Sequence, residues 1–168
     1  MNAFDGVLTI LGVLVGGYFG HLEDAGKIVV LGMTASFAMG ISGFYGAYMT
    51  EHAERSRALQ ELEESTLSSL KDTDIGHAST YATIIVALVD GFSPFAAAAI
   101  AVSPFFLGST IPFKTAYYIS FALAFCELFG LGIFLGTISR ERIVFSGIKM
   151  VSAGLICVAV GYLLGTAV

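Results

Sequence analysis

Charged residues are scarce in this sequence, and their scarcity restricts what the chain can be. Only 12% of its 168 residues are charged and 56% are hydrophobic, whereas charged residues make up about a quarter of a soluble domain. A soluble core of this length cannot bury so much apolar surface. Basic residues are also few, eight against 13 acidic ones, which argues against a nucleic-acid partner. The composition therefore predicts a protein surrounded by membrane lipid.

Catalytic and metal-binding signatures are missing as well. The two cysteines, Cys126 and Cys157, lie within apolar runs, where thiols mostly serve packing. His21 and His77 have no second His or Cys at the spacing of a zinc site. No phosphate-binding loop, G-x-S-x-G motif or nucleotide fingerprint occurs. We therefore predict that the chain is not an enzyme, binds no cofactor tightly and is not itself driven by ATP.

Long apolar runs are what the sequence has instead. Crossing about 30 Å of hydrocarbon takes roughly 20 helical residues, and five runs qualify, at about 4–20, 28–50, 80–108, 115–138 and 143–166. They predict an all-α, polytopic membrane protein with five transmembrane helices in one domain over residues 1–168. The third run contains Pro94 and Pro104, which predict a kink or a break.

The distribution of Lys and Arg predicts the orientation. Six basic residues lie in or near the loops after the second and fourth spans: Arg55, Arg57, Lys71, Arg140, Arg142 and the nearby Lys149. The loops after the first and third spans hold two, Lys27 and Lys114. Basic loops stay in the cytoplasm, so the N-terminus is expected there. The expected location is a multi-pass position in the cell membrane or in an organelle membrane such as that of the vacuole.

Three acidic residues within or beside the spans are candidates for a transport path. Asp90 and Glu127 lie in apolar runs, where a carboxylate costs about 2.5–3.5 kcal/mol and usually faces an ion path or a water cavity. Asp5 joins them because Asp-Gly occurs at 5–6 and again at 90–91. Other interpretations remain open: a helix N-terminus for Asp5, a neutral carboxyl or an N-cap for Asp90, and a neutral carboxyl bonded between helices for Glu127.

The second span continues into an acidic segment, 51–77, that is predicted to be cytoplasmic and helical at its start. Glu51, Glu54, Glu61 and Glu64 fall within roughly 140° of arc on a helix and could capture divalent cations. Alternatively, Arg57 pairs with Glu54 and Glu61 on an ordinary solvated helix.

Three stretches carry a family resemblance: DGVLTILGVLVGG at 5–17, ASFAMGISGFYGAYMTEHAERSR at 35–57 and RERIVFSGIKMVSAGLICVAVGYLLG at 140–165. The chain resembles the vacuolar iron transporter family through them. The resemblance implies a homodimer that moves Fe²⁺ or Mn²⁺ out of the cytoplasm in exchange for protons, with Asp5 and the acidic helix in functional roles. The sequence departs from the family in its short 51–77 segment and in Gly43, which stands where a methionine is usual, although Met39 is one turn away.

The favoured interpretation is a proton-coupled exporter of divalent metal cations, with Asp90 and Glu127, and with Asp5, as the ligands for metal and protons. Two alternatives remain: a transporter or channel for another small cation, and a non-transporting membrane scaffold whose buried acids join helices.

Overall fold

The computed structural model describes residues 2–107, 110–140 and 142–167. Over these residues the chain forms five α-helices and no strand: α1 (Asn2–Phe19), α2 (Ala25–Thr66), α3 (Asp74–Phe106), α4 (Phe113–Ser139) and α5 (Ile143–Ala167). Each is long and apolar enough to cross a membrane. The predicted set of five membrane-length helices is therefore confirmed and indicates a multi-pass membrane protein. The predicted end of the third span, at residue 108, lies outside the described residues.

Helix α1 lies at the centre of the bundle, because it packs against each of the other four helices. Val7, Ile10, Leu11 and Leu14 are fully buried on it. The outer helices instead expose large apolar side chains along much of their length, as expected where lipid is the solvent.

Glycines allow the helices of the α1–α2–α3 group to approach closely. A Cβ atom added at Gly40 would lie 2.5 Å from the carbonyl oxygen of Gly91, and one added at Gly6 would lie 2.6 Å from Cα of Pro94. These are backbone atoms that cannot move aside without shifting a helix. Because glycine has no side chain, the backbones of α2 and α3, and those of α1 and α3, can pack in direct contact at these positions.

Helix α3 runs without interruption through Pro94 and Pro104. Of the predicted kink or break, the break therefore does not occur, and the interpretation of Asp90 as an N-cap is wrong. Pro94 has no N–H to give the carbonyl oxygen of Asp90, four residues earlier. That oxygen instead accepts hydrogen bonds from Asn2 Nδ2 and from Ser93 Oγ, each at 3.2 Å. Two side-chain donors thus replace the missing backbone donor, and the helix continues.

The acidic segment begins as helix, as predicted, because α2 continues to Thr66. Its charges are partly paired: Arg55 bonds Glu51 at 2.8 Å and Arg57 bonds Glu61 at 3.0 Å. Leu67, with φ 52°, ends the helix, and a short turn leads to α3. The backbone N–H of Leu70 donates to Glu63 Oε1 at 2.6 Å and lowers the pKa of that carboxyl, so the turn is held by an ionised acceptor at neutral pH.

Candidate functional site

A cavity of about 530 Å³ opens between α1, α2 and α3 at the end of the bundle where α1 begins. It is lined by two residues of α1, seven of α2 and two of α3: Asn2, Asp5, Met39, Ser42, Gly43, Gly46, Ala47, Thr50, Glu51, Val86 and Asp90. Three of these are acidic, although the helices around them are predominantly apolar. The cavity therefore concentrates negative charge next to the bundle interior.

The repeated Asp-Gly pair explains how two of the acids reach this cavity. Gly6 packs against Pro94, and Gly91 packs against Gly40 and Phe44. Adjacent residues point about 100° apart on a helix, so when the glycine faces a neighbouring helix the aspartate before it is turned aside. Asp5 and Asp90 are turned toward the same cavity.

The α2 side of the cavity adds a third carboxylate and a thioether. Glu51 is half-buried and accepts a hydrogen bond from Arg55 Nε at 2.8 Å. Met39 lines the cavity three turns earlier on the same helix, one turn from the Gly43 position where a methionine was expected from the family resemblance. Met39 and Glu51 are twelve residues apart on α2, roughly 18 Å along the helix axis, so the thioether and this carboxylate lie at different depths of the cavity.

These ligands do not converge in a single copy of the chain. Within the described residues, no three or more His, Cys, Asp or Glu side chains are close enough together to hold one metal ion. Asp5 is exposed and Asp90 is partly exposed. In one copy the cavity is therefore open and acidic, and its three carboxylates do not share one position.

The other predicted acids lie elsewhere. Glu127 is not among the residues that line the cavity; both of its carboxyl oxygens are buried, without a hydrogen-bond partner in the described structure. Glu54, Glu61 and Glu64 are exposed on the extension of α2. Arg57 bonds Glu61 there, as the solvated-helix interpretation predicted, but the described structure has no ion pair between Arg57 and Glu54. The structure thus brings together Asp5, Asp90 and Glu51, and it places Glu127 apart from them.

Sequence reasoning missed the polar and small residues that complete the cavity wall. Asn2 precedes Asp5 by three positions, and on α2 the wall residues recur at three- and four-residue spacing: Met39, Ser42, Gly43, Gly46, Ala47 and Thr50. That spacing marks one face of a helix. This row of mostly small and polar residues on one face of α2, which ends at Glu51, could therefore have indicated the cavity wall from the sequence.

Comparison with known proteins finds a relative that aligns with most of the chain. The chain is 38% identical over 159 residues to the uncharacterized protein MJ0645 of Methanocaldococcus jannaschii, an alignment that covers 93% of this chain and 80% of the relative. No protein-family model matches the chain, and no solved structure matches it.

Proposed function

We propose that this chain, which belongs to the same family as the uncharacterized protein MJ0645 of Methanocaldococcus jannaschii, is a membrane transporter for divalent metal cations, with Fe²⁺ and Mn²⁺ favoured. The resemblance to the vacuolar iron transporters belongs to the same proposal, as a divergent relationship. The observation that supports it best is the shared cavity of Asp5, Asp90 and Glu51 between otherwise apolar helices. Acids in such a place are expensive unless a positive species neutralises them.

The distribution of basic residues supports an orientation for the cavity within the proposal. Arg55 and Arg57 follow the cavity-lining part of α2 directly, and basic residues favour the cytoplasmic side. The cavity then opens toward the cytoplasm and accepts its cation there. Protons compete with metal for the same carboxylates, so an inward proton flux can drive release on the far side.

We propose that a second copy of the chain adds acids to the open cavity of the first and so completes the cation site. Asp5, Gly12 and Gly16 form an exposed stripe on α1, and exposed Gly20 follows directly after the helix. A Cβ atom added at Gly12 or Gly16 would meet no atom within 4 Å. Small residues let a second helix approach closely. An α1 from another copy would cover the exposed side of Asp5 at the open edge of the cavity and would bring a second set of acids to the path.

Cross-linking tests the homodimer. Gly16→Cys is introduced into a Cys126→Ala, Cys157→Ala background, and membranes containing this variant are treated with an oxidant. A disulfide-linked dimer is expected, because two α1 helices packed through the exposed stripe bring the Cα atoms of residue 16 within disulfide range. Gly130→Cys is the matched control, since Gly130 is equally open but lies on α4. Equal yields from both variants, or a monomer from both, would contradict an interface through α1.

Ion flux tests the transport function. Proteoliposomes containing a metal-sensitive dye are expected to accumulate Fe²⁺ and Mn²⁺ faster than Ca²⁺, and uptake is expected to slow when the pH on the cation side is lowered, because protons then occupy the carboxylates. Glu54→Gln, an exposed acid outside the cavity, should leave the flux unchanged. Flux of monovalent or organic cations instead would favour the alternative transporter. A folded protein that moves no cation would favour the scaffold.

A further inference from the structure

Glu127 is an acidic residue that the cation cavity does not use. Its neighbour Leu128 lies beside Gly154 of α5 together with Leu11 of α1, so Glu127 sits near the level of Leu11. Leu11 is six residues beyond Asp5 on α1, roughly 9 Å farther along the helix axis. Glu127 thus lies deeper in the bundle than the acids of the cavity.

No positive group compensates Glu127 in the described structure. The basic residues of its own helix region are Lys114 and Arg140, each thirteen positions away and therefore about 20 Å along the axis. Helices α1, α3 and α5 pack against α4. The titratable side chains within their apolar spans are Asp5 and Tyr18 on α1, Tyr81 and Asp90 on α3, and Lys149, Cys157 and Tyr162 on α5. None of them forms an ion pair or hydrogen bond with Glu127, and Lys149 Nζ lies over the Phe145 ring at 5.1 Å.

Both carboxyl oxygens of Glu127 are nevertheless buried without a donor from the described protein. Removing an ionised carboxylate from water without a partner costs several kcal/mol, so such a group takes up a proton instead. Ser120 Oγ is likewise buried and unpartnered. It lies two turns away on the same side of α4, which gives this face of the helix two polar groups in an apolar setting.

We propose that Glu127 is a proton-binding site, separate from the cation cavity, that holds its proton while the helices are packed as they are here. Losing that proton requires a rearrangement that brings the carboxyl to water or to a donor. Proton occupancy at Glu127 therefore depends on the conformation of the bundle. The inference extends the proposed function, since it gives an exchanger a proton site that the metal does not have to vacate.

Infrared spectroscopy of the full chain in liposomes tests the protonation directly. At neutral pH a protonated carboxyl without hydrogen bonds absorbs at the high-frequency edge of the carboxylic-acid carbonyl region, where ionised carboxylates do not absorb. This band is expected in the parent protein, lost in Glu127→Gln and retained in Glu54→Gln. Glu127→Asp keeps a carboxyl and should shift the band rather than remove it, which separates a lost proton site from a misfolded variant. Absence of a Glu127-dependent band in the folded protein would overturn the proposal.

Mn²⁺ binding separates this inference from the transport function. Glu127→Gln is expected to bind Mn²⁺ as the parent does, measured from the electron paramagnetic resonance signal of free Mn²⁺. Its flux should still slow when the pH on the cation side is lowered, because the cavity carboxylates are unchanged. A pH gradient applied at constant pH on the cation side should no longer accelerate its flux. Loss of Mn²⁺ binding in the folded Glu127→Gln variant would make Glu127 a cation ligand and would overturn the separation of sites. If no variant and not even the parent binds or moves Mn²⁺, the transport proposal fails, and the infrared band still decides whether Glu127 holds a proton.

Discussion

Proteoliposomes that carry the Asp90→Asn variant are expected to take up Mn²⁺ no faster than liposomes without protein. The substitution keeps the size of the side chain and removes its negative charge. A divalent cation leaving water needs anionic oxygen ligands to replace its hydration. In the part of the chain that the structure describes, the acids lining the cavity are Asp5, Glu51 and Asp90. Since Glu51 is already engaged by Arg55, Asp5 and Asp90 are the two unpaired acids, and the loss of Asp90 removes half of the available negative charge.

The variant is also suited to separate function from folding. The hydrogen bonds that sustain α3 at Pro94 end on the backbone carbonyl of Asp90, and an asparagine leaves that carbonyl unchanged. Circular dichroism should therefore show a normally folded helix bundle. Asp5→Asn is expected to act in the same direction, whereas Glu54→Gln should retain the parental flux. Parental uptake by a folded Asp90→Asn protein would remove the cavity from the transport mechanism.

The Gly132→Ala variant is expected to unfold at a lower temperature than the parent protein. A Cβ atom at this position would lie 2.6 Å from Cα of Gly147 and 2.6 Å from the carbonyl oxygen of Ser146, and both belong to the backbone of α5. The helices α4 and α5 must move apart to accommodate it. Overpacking of this kind costs about 1–3 kcal/mol, which corresponds to roughly 2–4 °C in Tm for each kcal/mol.

Gly130→Ala is the matched control on the same helix. A Cβ atom at Gly130 meets nothing within 4 Å, and alanine is the better helix former by roughly 0.5–1 kcal/mol. Its Tm should equal or exceed that of the parent. Because the chain has no tryptophan, unfolding is followed by far-ultraviolet circular dichroism in detergent. Equal effects of the two substitutions would show that the contact between α4 and α5 is not as tight as described.

Composition and hydropathy were sufficient to predict the helices. Hydrocarbon offers no partner for backbone N–H and C=O groups, so an apolar run of this length has to satisfy them within one helix. For this reason most ends of the five helices were predicted to within three residues. The exceptions are the start of α3, which lies six residues earlier than predicted, and the end of α2, which continues beyond the membrane-length run. The extension of α2 was predicted from the spacing of its charged residues, since oppositely charged pairs four residues apart, such as Arg57 and Glu61, stabilise a helix in water.

The absence of a break at Pro94 depends on a contact that the local sequence does not contain. Proline removes one donor, and from the sequence alone the carbonyl of Asp90 is left unpaired. The donor that compensates, Asn2, is 88 positions away in the chain. Its presence depends on α1 packing against α3 through Gly6, which no local pattern at residues 90–94 contains.

The sequence by itself determined how many helices form, where along each helix the acids lie, and that the helices need an apolar solvent. Only the tertiary structure decided that Asp90 shares a cavity with Asp5, Met39 and Glu51 while Glu127 lies buried elsewhere. The helical period gives the angle of a side chain about its own axis but not the neighbour at that angle. The neighbours are set by backbone contacts at Gly6, Gly40 and Gly91, between segments far apart in the chain.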